Sequence, residues 1–123
     1  MTDKFIELLL QKINEHYTAY YEEAPNNAKF PYCVVPTLQV RELNKGGYSG
    51  VFDIEVYNNE LSDMSVETII DTLRTELNGF FYIGDLLGYH LGFSDQLIMK
   101  STEADLIIRR VTFEARIFTR KGN

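Results

Sequence analysis

The chain of 123 residues has no tryptophan, one cysteine, three prolines and two histidines, and each scarcity removes a class of function. Cys33 cannot form an internal disulfide, and its place in the apolar run Tyr32-Cys33-Val34-Val35 suits a small buried thiol. His16 and His90, with that one cysteine, give no HxxxH, HExxH or CxxC spacing, so neither a metal nor a cofactor is expected. His90, Ser94 and Asp95 supply the residue types of a hydrolytic triad, but an adjacent serine and aspartate cannot readily flank one imidazole from opposite sides, and no GxSxG elbow occurs. The Gly46-Gly47 pair lacks the Lys-Ser/Thr of a phosphate-binding loop and lies between two strands, where such a cradle needs a helix N-terminus behind it. Catalysis and nucleotide binding are therefore not expected. No run approaches the roughly 18 apolar residues of a membrane span, and Asp3, Glu7 and Lys12 interrupt any signal-peptide core, which points to a cytoplasm-like compartment.

What is present is an ordinary globular composition, with 45% hydrophobic and 24% charged residues. The length suits a single domain over residues 1–123. A net charge of −6 repels phosphate backbones, so ordinary nucleic-acid binding is disfavoured. The acid pairs Glu22 with Glu23 and Glu103 with Asp105 fall in polar segments, where solvated carboxylates keep ordinary acidity. Eight tyrosines and eight phenylalanines include the groups Tyr17, Tyr20, Tyr21 and Phe80, Phe81, Tyr82, which seal the ends of a helical layer or reach a neighbouring subunit.

Periodicity divides the chain into six elements. Ile6, Leu9, Leu10, Ile13 and Tyr17 form one helical stripe over Asp3–Tyr17, with Thr2 as N-cap. Pro25 and Pro31 forbid its continuation. Strand one spans Tyr32–Arg41, and Pro36 assigns it to an edge, because a central strand cannot spare the backbone donor. A glycine-rich connection leads into strand two, Tyr48–Tyr57. Helix two carries Val66, Ile69, Ile70, Leu73 and Leu77 and stops at Asn78-Gly79. From Phe80 a loop precedes an edge strand three, about Tyr89–Met99, softened by glycine, and strand four runs Leu106–Thr119. This αββαββ order predicts an α+β two-layer sandwich: a four-stranded antiparallel sheet of order 1-2-4-3 with both helices on one face, a circular permutation of the ferredoxin-like unit.

Strands two and four alternate strictly. Phe52, Ile54, Val56 and Val111, Phe113, Ala115, Ile117 form the core face. Asp53, Glu55, Tyr57, Arg110, Thr112, Glu114, Arg116 and Phe118 form the other, with acids on one strand and mainly bases on its neighbour. Such a mixture suits contact with protein better than with water. Candidate interface residues are Asp53, Glu55, Tyr57, Arg110, Glu114 and Arg116, together with Arg41, Lys45 and Tyr48 of the connection Arg41–Gly50.

Several local phrases resemble the tail-terminator (tail-completion, head–tail joining) proteins of long-tailed bacteriophages and prophages. They are Ala24-Pro25-Asn26 leading to Phe30-Pro31-Tyr32-Cys33-Val34-Val35, Phe52-Asp53-Ile54-Glu55-Val56-Tyr57, Leu77-Asn78-Gly79, and Arg110-Val111-Thr112-Phe113-Glu114-Ala115-Arg116-Ile117-Phe118. The resemblance covers nearly the whole chain and contains no catalytic motif. It implies a virion tail protein, assembled in the host cytoplasm, that forms a homo-oligomeric ring of six subunits. The ring would cap the tail tube, halt its polymerisation and offer a surface to the head-completion protein. It also implies tail-tube protein as a partner, no cofactor or membrane, and an acidic pore through which DNA slides without specific binding. Two further classes fit the same residues: a neck or head-completion protein of such a virion, and a cellular ferredoxin-like binding module.

Overall fold

The computed structural model describes residues 2–43, 47–61, 64–99, 101, 103 and 105–119. It contains α1 (Thr2–Asn14), β1 (Ala19–Tyr21), β2 (Tyr32–Val35), β3 (Leu38–Glu42), β4 (Tyr48–Asn59), α2 (Val66–Leu77), β5 (Phe81–Ile83), β6 (Leu87–Met99) and β7 (Leu106–Thr119). The expected four-stranded antiparallel sheet of order 1-2-4-3 is corrected to a curled, half-barrel sheet of seven strands, ordered β1-β2-β4-β7-β6-β5 with β3 also on β4. The sheet is mixed, because β1 runs parallel to β2.

Three local causes account for the difference. Pro36 splits the expected first strand, so that β2 and β3 pair with successive halves of β4. Helix α1 stops at Asn14, three residues short of Tyr17, because the Asn14 amide turns to the chain beyond: Oδ1 accepts from Ala19 N–H at 3.1 Å, while Nδ2 donates to Leu10 C=O at 2.8 Å. That stop frees Ala19–Tyr21 to add as a strand. Beyond Gly79, Phe81–Ile83 folds back on His90–Gly88 as a short hairpin, where a loop was expected, and strand three begins at Leu87 rather than Tyr89.

Both helices cover one face. Phe5, Leu9 and Ile13 of α1 and Ile69, Ile70, Leu73 and Leu77 of α2 are buried with Phe52, Ile54, Val56, Val111, Phe113 and Ile117. Phe5 meets the rings of Phe52 and Tyr89 at 6.2 and 5.1 Å, both edge-on, and Phe52 stacks on Phe113 at 5.7 Å. Ser65 caps α2, its Oγ accepting from Thr68 N–H at 3.2 Å. At the other end, Asn78 Oδ1 accepts from Phe93 N–H at 2.9 Å and fixes the helix to β6, while Gly79 takes φ +80° to turn the chain. No helix among the described residues is long and apolar enough to cross a membrane.

The β4–β7 ladder pairs Tyr48 with Ile117 through Asn59 with Leu106 without interruption. It places Phe113 at 0% exposure under the helices and turns Arg116 outward. Phe113→Ala should therefore cost about 3–5 kcal/mol, and Arg116→Ala should stay within about 0.5 kcal/mol of the parent. Urea melts of the two variants check this, and equal losses would contradict the register.

Candidate functional site: the open sheet face

The face away from the helices is organised in cross-strand rows set by the register. Nearest the β3–β4 connection lie Arg41, Ser49, Arg116 and His90; next come Gln39, Val51, Glu114 and Gly92; then Asp53, Thr112 and Asp95. Val34, Glu55, Arg110 and Leu97 follow, and Tyr32, Tyr57, Ile108 and Met99 form the last row. The face thus grades from basic through acidic to apolar along the strands.

Its centre is a polar network. Arg110 Nη2 donates to Glu55 Oε2 at 2.9 Å, and its Nε lies 3.8 Å from Asp53 Oδ2. Tyr57 OH donates to Glu55 Oε1 at 3.0 Å, and Thr112 Oγ1 donates to Asp53 Oδ1 at 2.6 Å. Glu55 is only 8% exposed, so its charge depends on these partners. The Glu55 hydrogen bond, followed by the charges of Asp53 and Glu55, holds the Arg110 pKa above its usual value. Burial first, then the bond to Glu55, pushes the Tyr57 hydroxyl up to about 12. Both carboxylates face the one guanidinium.

Next to this network stands an aromatic stack. Tyr32 lies over Tyr57 at 5.1 Å and over Phe30 at 5.5 Å, with Tyr20 edge-on at 6.0 Å. Phe30 and Tyr32 were not among the sequence-predicted interface residues, and Tyr20 was named only within a group of rings that seal the helical layer or reach a neighbouring subunit, because only the β1–β2 and β2–β4 registers bring them beside Tyr57. Their one signal in the sequence is the density of rings in Tyr20-Tyr21 and Phe30-Pro31-Tyr32.

The structure gathers Asp53, Glu55, Tyr57 and Arg110 into one site and sets Glu114, Arg116 and Arg41 along the rows toward the basic end. Tyr48 shares the parity of Phe52 and packs half-buried against the core, on the helix side. Lys45 lies outside the described residues. Two shallow hollows meet at Ser49 and Glu114, one of about 220 Å³ reaching His90 and Arg116, the other of about 460 Å³ reaching Gln39 and Arg41. His90 is exposed and tilts against the Phe81 ring at 5.9 Å. Cys33 is fully buried, and burial pushes its thiol up to about 12, so it is not a nucleophile at neutral pH. Among the described residues no group of three His, Cys, Asp or Glu side chains could hold a metal ion.

At the apolar end the β6–β7 hairpin exposes Leu97 (53%) and Ile98 (67%). A bulge between Phe93 and Asp95 puts Leu97 on the open face opposite Arg110. Leu61, 81% exposed, projects from the β4–α2 loop, which Glu60 N–H ties to Asp105 C=O at 2.8 Å. Large apolar groups are thus left in water beside ordered charges.

No family model matches the chain, and no curated protein is similar to it. Its fold is similar to a chain in the solved structure "Virion of native gene transfer agent (GTA) particle", with TM-score 0.62 and 18% identity over 89% of this chain and 84% of that one.

Two outcomes follow from the network. Arg110→Ala leaves Glu55 buried with Tyr57 alone and should cost about 1–3 kcal/mol, read from denaturant melts against Arg116→Ala. Tyr57 keeps its proton in the folded chain above its ordinary pKa of 10, while the unfolded chain loses it, so the contribution is intact below pH 10 and declines toward pH 12. Stability measured across that window should fall less steeply in Tyr57→Phe, and an unchanged slope would contradict the assignment.

Proposed function

We propose that this chain is a structural protein of a phage-like virion and, more narrowly, a tail terminator: a ring, six subunits round, that caps the tail tube, stops its growth and offers the head-joining surface. The observation that carries the reading is the likeness of fold to a gene transfer agent virion chain over 89% of the sequence. The open face supports it, because that face combines an internally paired charge network, an aromatic stack and exposed apolar positions.

The net charge of −6 suits the role physically. A lumen lined by carboxylates gives a passing DNA no counter-ions to release, so the duplex slides without sticking. Tail-tube protein on one side of the ring and head-completion protein on the other are the partners of this reading. The graded open face and the apolar end around Leu97 and Ile98 are the surfaces for them.

Electron microscopy of particles made with and without the protein tests the reading. Loss of the chain should give overlong tails, or tails not joined to heads. Tails of normal length alongside leaking or tail-less heads would move the protein to the neck. Normal particles would remove it from assembly.

A further inference from the structure

Most cations of this chain are paired within it. Among the described residues Lys4 meets Glu7 at 3.5 Å, Lys12 meets Glu15 at 3.4 Å, Arg109 meets Glu67 at 3.2 Å and Arg110 meets Glu55 at 2.9 Å, while the Arg74 guanidinium lies over the Phe93 ring at 4.2 Å. Lys29, Arg41 and Arg116 have no ion pair, side-chain hydrogen bond or ring contact among those residues. Acids outnumber Lys and Arg by 18 to 12, so an arginine without an acid is the exception in this chain. Two of the three unpaired cations share one cross-strand row. β3 pairs Arg41 with Ser49 of β4, and β4 pairs Ser49 with Arg116 of β7, so the arginines flank Ser49 on the open face with their Cα atoms about 10 Å apart, two strand spacings. His90 continues the row on β6, its ring against Phe81 at 5.9 Å. Ser49 is too short to fill the space between its neighbours, and the hollows of about 220 and 460 Å³ meet there, one reaching Arg116 and His90, the other Arg41 and Gln39. Like charges so placed, exposed and unpaired, add nothing to the stability of the fold.

We propose that this row binds the carboxylates of an acidic polypeptide segment of a protein partner, the two guanidinium groups closing on its acid side chains from either side of Ser49. Arginine suits the task, because its planar fork holds a carboxylate through two parallel N–H donors. The Ser49 hydroxyl and an imidazole N–H of His90 add donors along the same row. In the next row Gln39 and Glu114 offer an amide to the segment's backbone C=O groups and a carboxylate to its N–H groups. The width of the basic zone favours protein over nucleic acid. That zone is one row deep, with Glu114 in the next row and Asp53 and Asp95 in the one after. Duplex DNA carries a charge every ~1.7 Å along its axis, so its backbone would run onto these carboxylates. A short acidic segment lays its side chains on the arginines and its backbone beside Glu114. The inference deepens the reading of the open face as a contact surface and rests on the virion role only for which protein brings the segment.

Titrating the purified chain into a short fluorescein-labelled oligoglutamate peptide at low salt, read by fluorescence anisotropy, tests the site. The wild-type chain should bind and lose affinity as salt rises. Arg41→Ala and Arg116→Ala should each weaken binding about tenfold, and Arg116→Lys should fall between, because it keeps the charge and loses the fork. Ser49→Glu should abolish binding by giving the arginines an acid of their own. Lys29 is unpaired as well but lies in the loop before β2, away from the row, so Lys29→Ala should leave the affinity unchanged. Thermal melts confirm that each variant folds. A wild-type chain that does not bind the peptide, an equal loss in Lys29→Ala, or tighter binding of a DNA duplex than of the peptide would overturn the inference. Peptide binding that needs both arginines, in a chain whose removal leaves particles normal, would keep the site and remove the virion role.

Discussion

The structure depends first on the β4–β7 ladder, twelve consecutive residue pairs at the centre of the sheet. A side chain's face is decided by parity, so this register commits Phe52 and Phe113 to the core in the same step that commits Glu55 and Arg110 to the open side. A slip of one residue in β4 would bury Asp53 and Glu55 beneath the helices and release Phe52 to water, and the same slip in β7 would bury Arg110 and release Phe113. The cost of burying unpaired charges exceeds anything the peripheral strands could offset. The Arg110–Glu55 pair fixes the register a second time, because these residues are direct cross-strand neighbours whose charges pair only in this alignment.

With the core sealed on one side, the open face is free to be shaped for contact. Its polar centre is rigid, since Asp53, Glu55, Tyr57, Arg110 and Thr112 hold one another. Its ends differ in kind. Arg41 and Arg116 make one end basic, while Tyr32, Tyr57, Ile108 and Leu97 make the other apolar. In the proposed role, a surface ordered before binding would lose little side-chain entropy on docking, and its unlike ends would give a partner one orientation.

The parts of this arrangement that rest on local period were legible in the sequence. The alternation in Phe52–Tyr57 and Arg110–Phe118 identifies both faces, and Ile6, Leu9, Ile13 and Ile69, Leu73, Leu77 of the two helical stripes are buried, whereas Phe5, fully buried, lay outside the first stripe, and Leu10 and Tyr17 of that stripe are only partly buried. The edges were illegible. Ala19–Tyr21 and Phe81–Ile83 are three residues each, too short for a period, and their strand character comes from partners elsewhere in the chain. The helical spacing from Ile13 to Tyr17 conceals the stop at Asn14, since hydrophobic spacing does not register an amide that prefers the backbone of Ala19. The ring stack of Phe30, Tyr32 and Tyr57 joins segments 25 or more residues apart and exists only once the registers are set.

The central proposal is that this chain is built into a virion at one place, through its open sheet face. Labelling purified particles with an antibody to the chain, viewed by electron microscopy, tests this most directly. The account predicts label at one level of the particle, where the tail meets the head. Label spread along the whole tail, or particles that carry none, would contradict it.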